Sequence, residues 1–307
     1  MKFNFQDFRA AAPDARQAQP AQFANADVKL VDRSIGDLIR DVRELSDEQI
    51  EEILTYQREN SVRFGEAAVA LKLASGDDVL RALALQFHYP YASEEGSGNP
   101  ELVIAHSPFS DEAEAFRELR SQLMMDVLSN EHPHRALAVL SPSVGDGKTY
   151  LAANLAVAFS QLGGRTLLVD ADMRTPRQQQ VFEIDSATSG LSSILSGRAE
   201  HNVIQRVAGL PSLYLLPVGV IPPNPLELVQ RPAFGLLMHE LLSKFDHVVV
   251  DTPAAVHGAD SRVIAAKCGA ALVIGRTGKS KMDKLESLLK SVAKGPAKLA
   301  GVVMNEH

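Results

Sequence analysis

Lys148 and Thr149 follow two glycines, Gly145 and Gly147, in the run SPSVGDGKT from Ser141 to Thr149. An apolar run, Ala136 to Leu140, precedes it, and a helical pattern opening LAANLAVAF follows. That order of strand, glycine loop, Lys-Thr and helix is the layout of a loop that cradles phosphates. The glycines let backbone N–H groups approach phosphate oxygens, and the dipole of the following helix adds a favourable field. Lys148 is placed to neutralise the β and γ phosphates, and the Thr149 hydroxyl to meet a magnesium ion, which prefers oxygen ligands. The expected nucleotide contacts are Ser143, Val144, Gly145, Asp146, Gly147, Lys148, Thr149 and Tyr150. Pro142 stands where such loops usually carry their first glycine, a position that only turns the chain out of the strand.

Three aspartates end apolar runs: Asp170 and Asp172 in LLVDADMRTP, with Arg174 behind them, and Asp251 in HVVVDTPA. Carboxylates at strand ends beside a phosphate loop can hold a magnesium ion through its waters, or take a proton from a hydroxyl nucleophile. An aspartate at a strand-to-helix turn can equally serve as a helix cap, and both readings stay open here.

The elements that must position these residues are legible as short apolar, β-branched runs separated by helix-length segments. Candidate strands are Ala136 to Ser141, Thr166 to Asp170, Leu213 to Pro217, His247 to Asp251, Ala271 to Gly275 and Ala300 to Asn305. The alternation predicts an α/β fold, a P-loop NTPase-type parallel sheet with helices on both faces. Ligands of such sheets sit at the carboxyl ends of the strands, where Ser141, Asp170, Asp251 and Asn305 fall.

A small all-α domain is expected in front of the sheet. SIGDLIRDVRELSDEQIEEILTYQ (Ser34 to Gln57) aligns with RFGEAAVALKLASGDDVLRALALQ (Arg63 to Gln86) at an offset of 29 residues, superposing Gly36 on Gly65 and Leu54 on Leu83. Each copy reads as one helix-turn-helix unit. The expected organisation is a flexible arm over 1–27, a helical domain over 28–92, a linker over 93–108 and the α/β domain over 109–307. With 31 basic against 38 acidic residues, no basic face for nucleic acid is evident. Cys268 is the only cysteine, which excludes an internal disulfide and fits a reducing compartment. No apolar stretch is long enough to span a bilayer, so any membrane role is expected to run through a partner.

From Ala105 to His307 these motifs resemble the bacterial tyrosine kinases of exopolysaccharide and capsule synthesis, with VDADMRTP as the most specific element. AEAFRELRSQL (Ala113 to Leu123) is similar to that family's oligomerisation helix, with Glu114, Arg117 and Arg120 at its E-x-x-R-x-x-R positions. PPNPLELV and GVVMN resemble further family segments, the latter placing Asn305 beside the adenine base. The resemblance implies an ATP- and magnesium-dependent protein-tyrosine autokinase. Lys148, Asp170, Asp172 and Asp251 would be its catalytic residues, and Thr149, Asp170 and Asp251 its magnesium site, with Asp170 or Asp172 taking the proton from the tyrosine. It also implies a homo-oligomer and a cytoplasmic position at the inner membrane, reached through the cytosolic tail of a membrane chain-length determinant.

A carboxy-terminal tyrosine cluster, usual in that family, is not found before His307. The five tyrosines are Tyr56, Tyr89, Tyr91, Tyr150 and Tyr214. The acceptor is therefore expected on another protein, at Tyr89 and Tyr91, or on a stretch of chain that this sequence lacks. The alternative within the fold is a nucleotide-dependent scaffold of the partitioning-ATPase type. Its loop carries a second lysine where this chain has Ser143. The front repeat resembles the amino-terminal domain of type II secretion ATPases, in some of which paired motifs bind cyclic di-GMP. Arg63, Gly65 and Gly36 hold matching positions, while Ser34, Arg43 and Lys72 depart from the motif. Cyclic di-GMP binding and a helical module that docks a partner both stay open.

Overall fold

A computed structural model of the chain describes residues 34–86, 99–129, 133–184, 189–198 and 203–306. The expected arm, both ends of the expected helical domain, with Tyr89 and Tyr91 at the second, and the first part of the expected linker lie outside these residues. The chain divides into two compact units, whose described parts run from 34 to 86 and from 99 onward.

The first unit contains α1 (Ile35–Arg43), α2 (Asp47–Asn60), α3 (Phe64–Ala70) and α4 (Gly76–Gln86). The offset of 29 read from the sequence recurs in the helix starts, Ile35 to Phe64 and Asp47 to Gly76. Serines set several of these starts. Ser34 Oγ accepts the Asp37 amide at 3.2 Å, and Ser46 Oγ the Gln49 amide at 3.3 Å. Ser75 and Asp78 repeat the arrangement before α4, with the Ser75 amide donating to the Asp78 carboxylate at 2.6 Å. Such caps satisfy amides that a helix start would otherwise leave bare. Leu38, Ile39, Ile53, Ala67, Ala68 and Ala82 form the core of this unit. Arg43, which departs from the cyclic di-GMP motif, pairs at 3.1 Å with the buried Asp78. Gly65 has a packing reason, since a Cβ there would lie 2.8 Å from Val79 Cγ1.

The second unit opens with α5 (Val103–His106) and α6 (Asp111–Met125), followed by β1 (Ala136–Leu140), α7 (Lys148–Ser160), β2 (Thr166–Asp170), α8 (Gln178–Val181) and α9 (Leu191–Leu195). Next come β3 (Gln205–Arg206), β4 (Leu213–Leu216), α10 (Pro225–Gln230), α11 (Pro232–Lys244) and β5 (His247–Asp251). The chain ends with α12 (Asp260–Cys268), β6 (Gly269–Arg276), α13 (Met282–Ala293) and β7 (Lys298–Asn305). The strands lie in the order β3-β4-β2-β5-β1-β6-β7. All pairings are parallel except that of β3 with β4, a polar two-residue edge strand that the sequence reading did not foresee.

Period-two alternation sends successive side chains of each strand to opposite layers. Ala136, Ala138 and Leu140 of β1 pack with Leu237, Leu241, Ile264, Leu285 and Leu288 of α11, α12 and α13. Leu137 and Val139 pack with Phe116 of α6 and Leu155 and Phe159 of α7. Strands covered on both faces must be apolar throughout, and β1 and β2 are buried at every position. Cys268 lies buried in the first layer, where burial raises its thiol pKa.

Two glycine substitutions test the packing of the helical unit. Gly65→Ala drives a methyl group into Val79 and is expected to cost about 1–3 kcal/mol. Gly76→Ala meets nothing within 4 Å and is expected to stabilise by about 0.4–1 kcal/mol through the unfolded chain. Urea unfolding followed by helical circular dichroism on the full chain checks both signs.

Candidate active site

The loop between β1 and α7 is held open by its own carboxylate. Asp146 is buried and accepts the Ser143 amide at 2.8 Å on one oxygen and the Ser280 hydroxyl at 2.8 Å on the other. Ser141 Oγ donates to the Ser143 carbonyl at 2.7 Å. Gly145 and Gly147 take φ of 80° and 101°, a region that favours glycine. Space adds a second requirement at Gly147, where a Cβ would lie 2.7 Å from Asn305 Nδ2. The Asn305 amide donates to the Asp146 carbonyl at 3.3 Å, so the residue expected beside adenine also braces the loop from β7.

Lys148 opens α7 and is only 6% exposed. It forms no ion pair with any described residue, although its charge acts on Asp251. Such an ammonium, at the start of a helix behind a glycine loop, is arranged for an anion that the described residues do not supply.

Parallel pairing of β2 with β5 sets Asp170 directly opposite Asp251, and both are fully buried. Asp170 accepts the amides of Asp172, Arg177 and Gln178 at 3.1–3.2 Å. Burial, then the neighbouring Asp251 charge, push its pKa well above the usual carboxylate range. Burial also raises Asp251, to about 6, against the pull of Lys148, Thr149 and Gln178. Asp251 Oδ2 accepts from Gln178 Nε2 at 2.9 Å, while Oδ1 is buried without a hydrogen-bond partner. An unsatisfied buried carboxylate oxygen beside Thr149 fits a hydrated magnesium ion. No described group of three or more His, Cys, Asp or Glu is arranged to hold a metal unaided.

Asp172 plays a different part. Its carboxylate accepts the amides of Arg174 and Thr175 and the Thr175 hydroxyl at 2.9–3.1 Å, closing the turn after β2. Arg174 leaves that turn to pair with the buried Asp260 at 3.1 Å. The sequence reading missed Gln178, whose Nε2 also donates to the Thr149 carbonyl at 3.1 Å and so ties the phosphate loop to the acidic strand tips. It missed the brace from the end of β6 as well, where Arg276 Nη1 donates to the Gly145 carbonyl at 3.4 Å and Ser280 to Asp146. Three successive glutamines and a serine beyond β6 carry no periodic signal.

Tyr150 donates to Glu112 at 2.5 Å and packs edge-on against Phe116, joining α6 to α7. Arg117 and Arg120, set by their spacing on a polar stripe of the helix that resembles an oligomerisation helix, bond within their own chain. Arg117 bonds Glu114 and the Pro108 carbonyl, and Arg120 donates to the Ala158 carbonyl at 2.8 Å. Glu114 remains 71% exposed. A long guanidinium stem lets a residue on a polar stripe reach across its own subunit.

Fold and loop together define a phosphate-loop nucleotide-binding domain, and residues 137–307 match the CobQ/CobB/MinD/ParA nucleotide binding domain family. A putative tyrosine-protein kinase, CapB, of Staphylococcus aureus is 32% identical over 208 residues, covering 67% of this chain and 89% of that protein. The crystal structure of the chimerical protein CapA2B2 superposes with a TM-score of 0.63 at 31% identity, over 69% of this chain and 92% of that one. The kinase domain of the Escherichia coli tyrosine kinase ETK gives 0.62 at 26% identity, over 66% and 79%. The chain belongs to the bacterial tyrosine kinase family.

The buried carboxylates predict a pH effect. A carboxyl whose pKa is raised on folding contributes stability that is present below its unfolded value, near 4, and lost as pH rises through its folded value. The stability of Asp251→Asn relative to the parent is therefore expected to increase between about pH 4 and pH 7 in the absence of nucleotide and magnesium. Urea midpoints across that range test it, and a constant difference would contradict it.

Proposed function

We propose that the chain binds ATP with magnesium between the Ser143–Thr149 loop and the acidic strand tips, and that Asp170 takes the proton of the tyrosine it phosphorylates. The observation that carries this reading is the register of Asp170 and Asp251, both buried, beside Thr149 and Lys148, whose ammonium forms no ion pair with any described residue. ATP with magnesium, when bound, supplies the γ-phosphoryl group that passes to the tyrosine oxygen as ADP leaves. The loop amides and Lys148 hold and neutralise the phosphate oxygens, and their fixed orientation favours the charge that develops during transfer. Thr149, Asp170 and Asp251 would hold the ion's oxygen shell. Between the two aspartates of the second acidic motif, Asp170 has the raised proton affinity. Asp172 shapes the turn that carries it. Asn305 closes the cradle at β7, and the adenine lies on its side.

The resemblance to exopolysaccharide kinases supports an activity in polymer assembly and export, and the reading takes a membrane chain-length determinant as partner and homo-oligomers as the working form. Among the described residues no helix is long and apolar enough to cross a membrane, so the inner membrane is reached through that partner. A partitioning-type scaffold has less support, because the relatives reported above are named tyrosine kinases and Ser143 occupies the second-lysine position. For the helical unit we propose a docking role. Gly65 already serves packing, so titration of cyclic di-GMP into the full chain is expected to give no heat at micromolar concentration. A saturable signal there would restore the nucleotide reading of Arg63 and Gly36.

Incubation with ATP and magnesium, with and without the partner's tail, is expected to yield phosphotyrosine by mass spectrometry. Lys148→Met abolishes it, and Asp170→Asn lowers the rate by at least about 10²-fold, more than Asp172→Asn does. A protein of unaltered mass that still assembles on nucleotide would replace the kinase reading with the scaffold one.

A further inference from the structure

Beyond the carboxyl end of β4 lies a groove that the nucleotide site does not use. Its volume is about 450 Å³, and its walls are the Val220–Asn224 run and the segment from Ser192 to Arg198. Backbone bonds fix the walls together. The Leu191 and Ser192 amides donate to the Pro217 and Val218 carbonyls at 2.8 and 3.0 Å, and Ser192 Oγ donates to the Val220 carbonyl at 2.6 Å. Gly190 and Gly219 approach so closely that a Cβ on Gly190 would lie 2.3 Å from the Gly219 nitrogen. On this frame Val220 and Ile221 stand 66% and 55% exposed as an apolar lip.

Two cations, Arg198 and Arg231, border the same groove. Arg198 Nε donates to Ser196 Oγ at 3.2 Å and Arg231 Nη1 to the Leu195 carbonyl at 3.3 Å. Neither has a carboxylate partner among the described residues. Among the described lining residues the one acid is Glu227, which accepts from Asn224 at 3.4 Å. An apolar lip beside two guanidinia without carboxylates fits an extended peptide with aromatic side chains followed by acids.

The sheet places this groove near the proton acceptor. Leu216 of β4 lies opposite Val169, the residue before Asp170. Five residues of chain and one strand spacing bound the distance from Val220 to Asp170 at about 22 Å. A peptide of seven extended residues spans that distance at about 3.3 Å per residue.

Resting on the tyrosine-kinase reading above, we propose that this groove seats residues 87–98 of a second copy of the chain as the acceptor segment. These twelve residues, FHYPYASEEGSG, lie outside the described residues and join Gln86 to Asn99. They hold two of the chain's five tyrosines, Tyr89 and Tyr91, followed by Glu94 and Glu95. Pro90 biases Tyr89 toward an extended backbone. Glu94 and Glu95 meet Arg198 and Arg231, and the Tyr-Pro-Tyr run lies along the Val220–Ile221 lip toward Asp170. The remaining tyrosines are held in elements: Tyr150 on Glu112, Tyr214 within β4 and Tyr56 within α2.

A labelled peptide of residues 86–99 titrated into the full chain, followed by fluorescence anisotropy, tests the groove without phosphoryl transfer. The parent is expected to bind it with micromolar affinity. Arg198→Glu with Arg231→Glu is expected to weaken binding at least about tenfold, and a peptide with Glu94→Lys and Glu95→Lys to regain at least about threefold against that variant. Because Arg231 also contacts Leu195, Arg198→Glu with Ile221→Ser serves as a second variant, expected to weaken binding similarly while ATP-analogue affinity stays unchanged. Binding that is undetectable, or equal for the parent and both variants, overturns the proposal. So does phosphotyrosine of the parent chain mapping away from Tyr89 and Tyr91. Absence of any phosphotyrosine despite peptide binding would count against the kinase reading and leave the groove assigned.

Discussion

Two carboxylates buried side by side are a cost that the rest of this domain is arranged to bear. Parallel pairing of β2 with β5 puts Asp170 against Asp251 with no solvent on either. Neighbouring charges in a dry site repel, and burial penalises each of them separately. Gln178, the amides of the turn after β2 and the Lys148 charge offset part of this cost. The unsatisfied Asp251 Oδ1 marks the part left over. A divalent cation between phosphate and strand tips would remove the remainder. Ligand binding and the relief of this strain are then one event.

The same constraint accounts for the bracing of the phosphate loop. Asp146 ties Ser143 to Ser280, Asn305 fills the space that only glycine leaves at 147, and Gln178 joins the loop to Asp251. These supports arrive from β2, β6 and β7, so the loop is held from both sides of β1. A cradle fixed this way keeps its donors aimed before ligand arrives, the condition under which such donors favour a developing charge most.

Much of this was legible in the sequence because strand ends coincide with a change of chemistry. Thr166–Asp170 and His247–Asp251 were read with the boundaries the structure has, since an apolar run cannot continue through a carboxylate without a special site. The phosphate loop was legible from its glycines and Lys-Thr pair. The repeat was legible from the offset of 29 residues that superposes Gly36 on Gly65 and Leu54 on Leu83. What escaped arrives by tertiary reach. Gln178 is eight residues from Asp170 along the chain and Ser280 is 134 from Asp146, and no local period connects either pair. Arg117 and Arg120 were placed on a polar stripe from their spacing, yet spacing fixes only where a stem begins. The edge strand Gln205–Arg206 is too short and too polar to carry an alternation.

The central claim is that Asp251 and Asp170 are held for a magnesium ion that comes with the nucleotide. Calorimetric titration of a non-hydrolysable ATP analogue, with magnesium and with chelator, into the parent and Asp251→Asn tests it most directly. The account predicts at least about tenfold tighter binding with magnesium in the parent and loss of most of that dependence in Asp251→Asn. Equal affinities in all four titrations would contradict it.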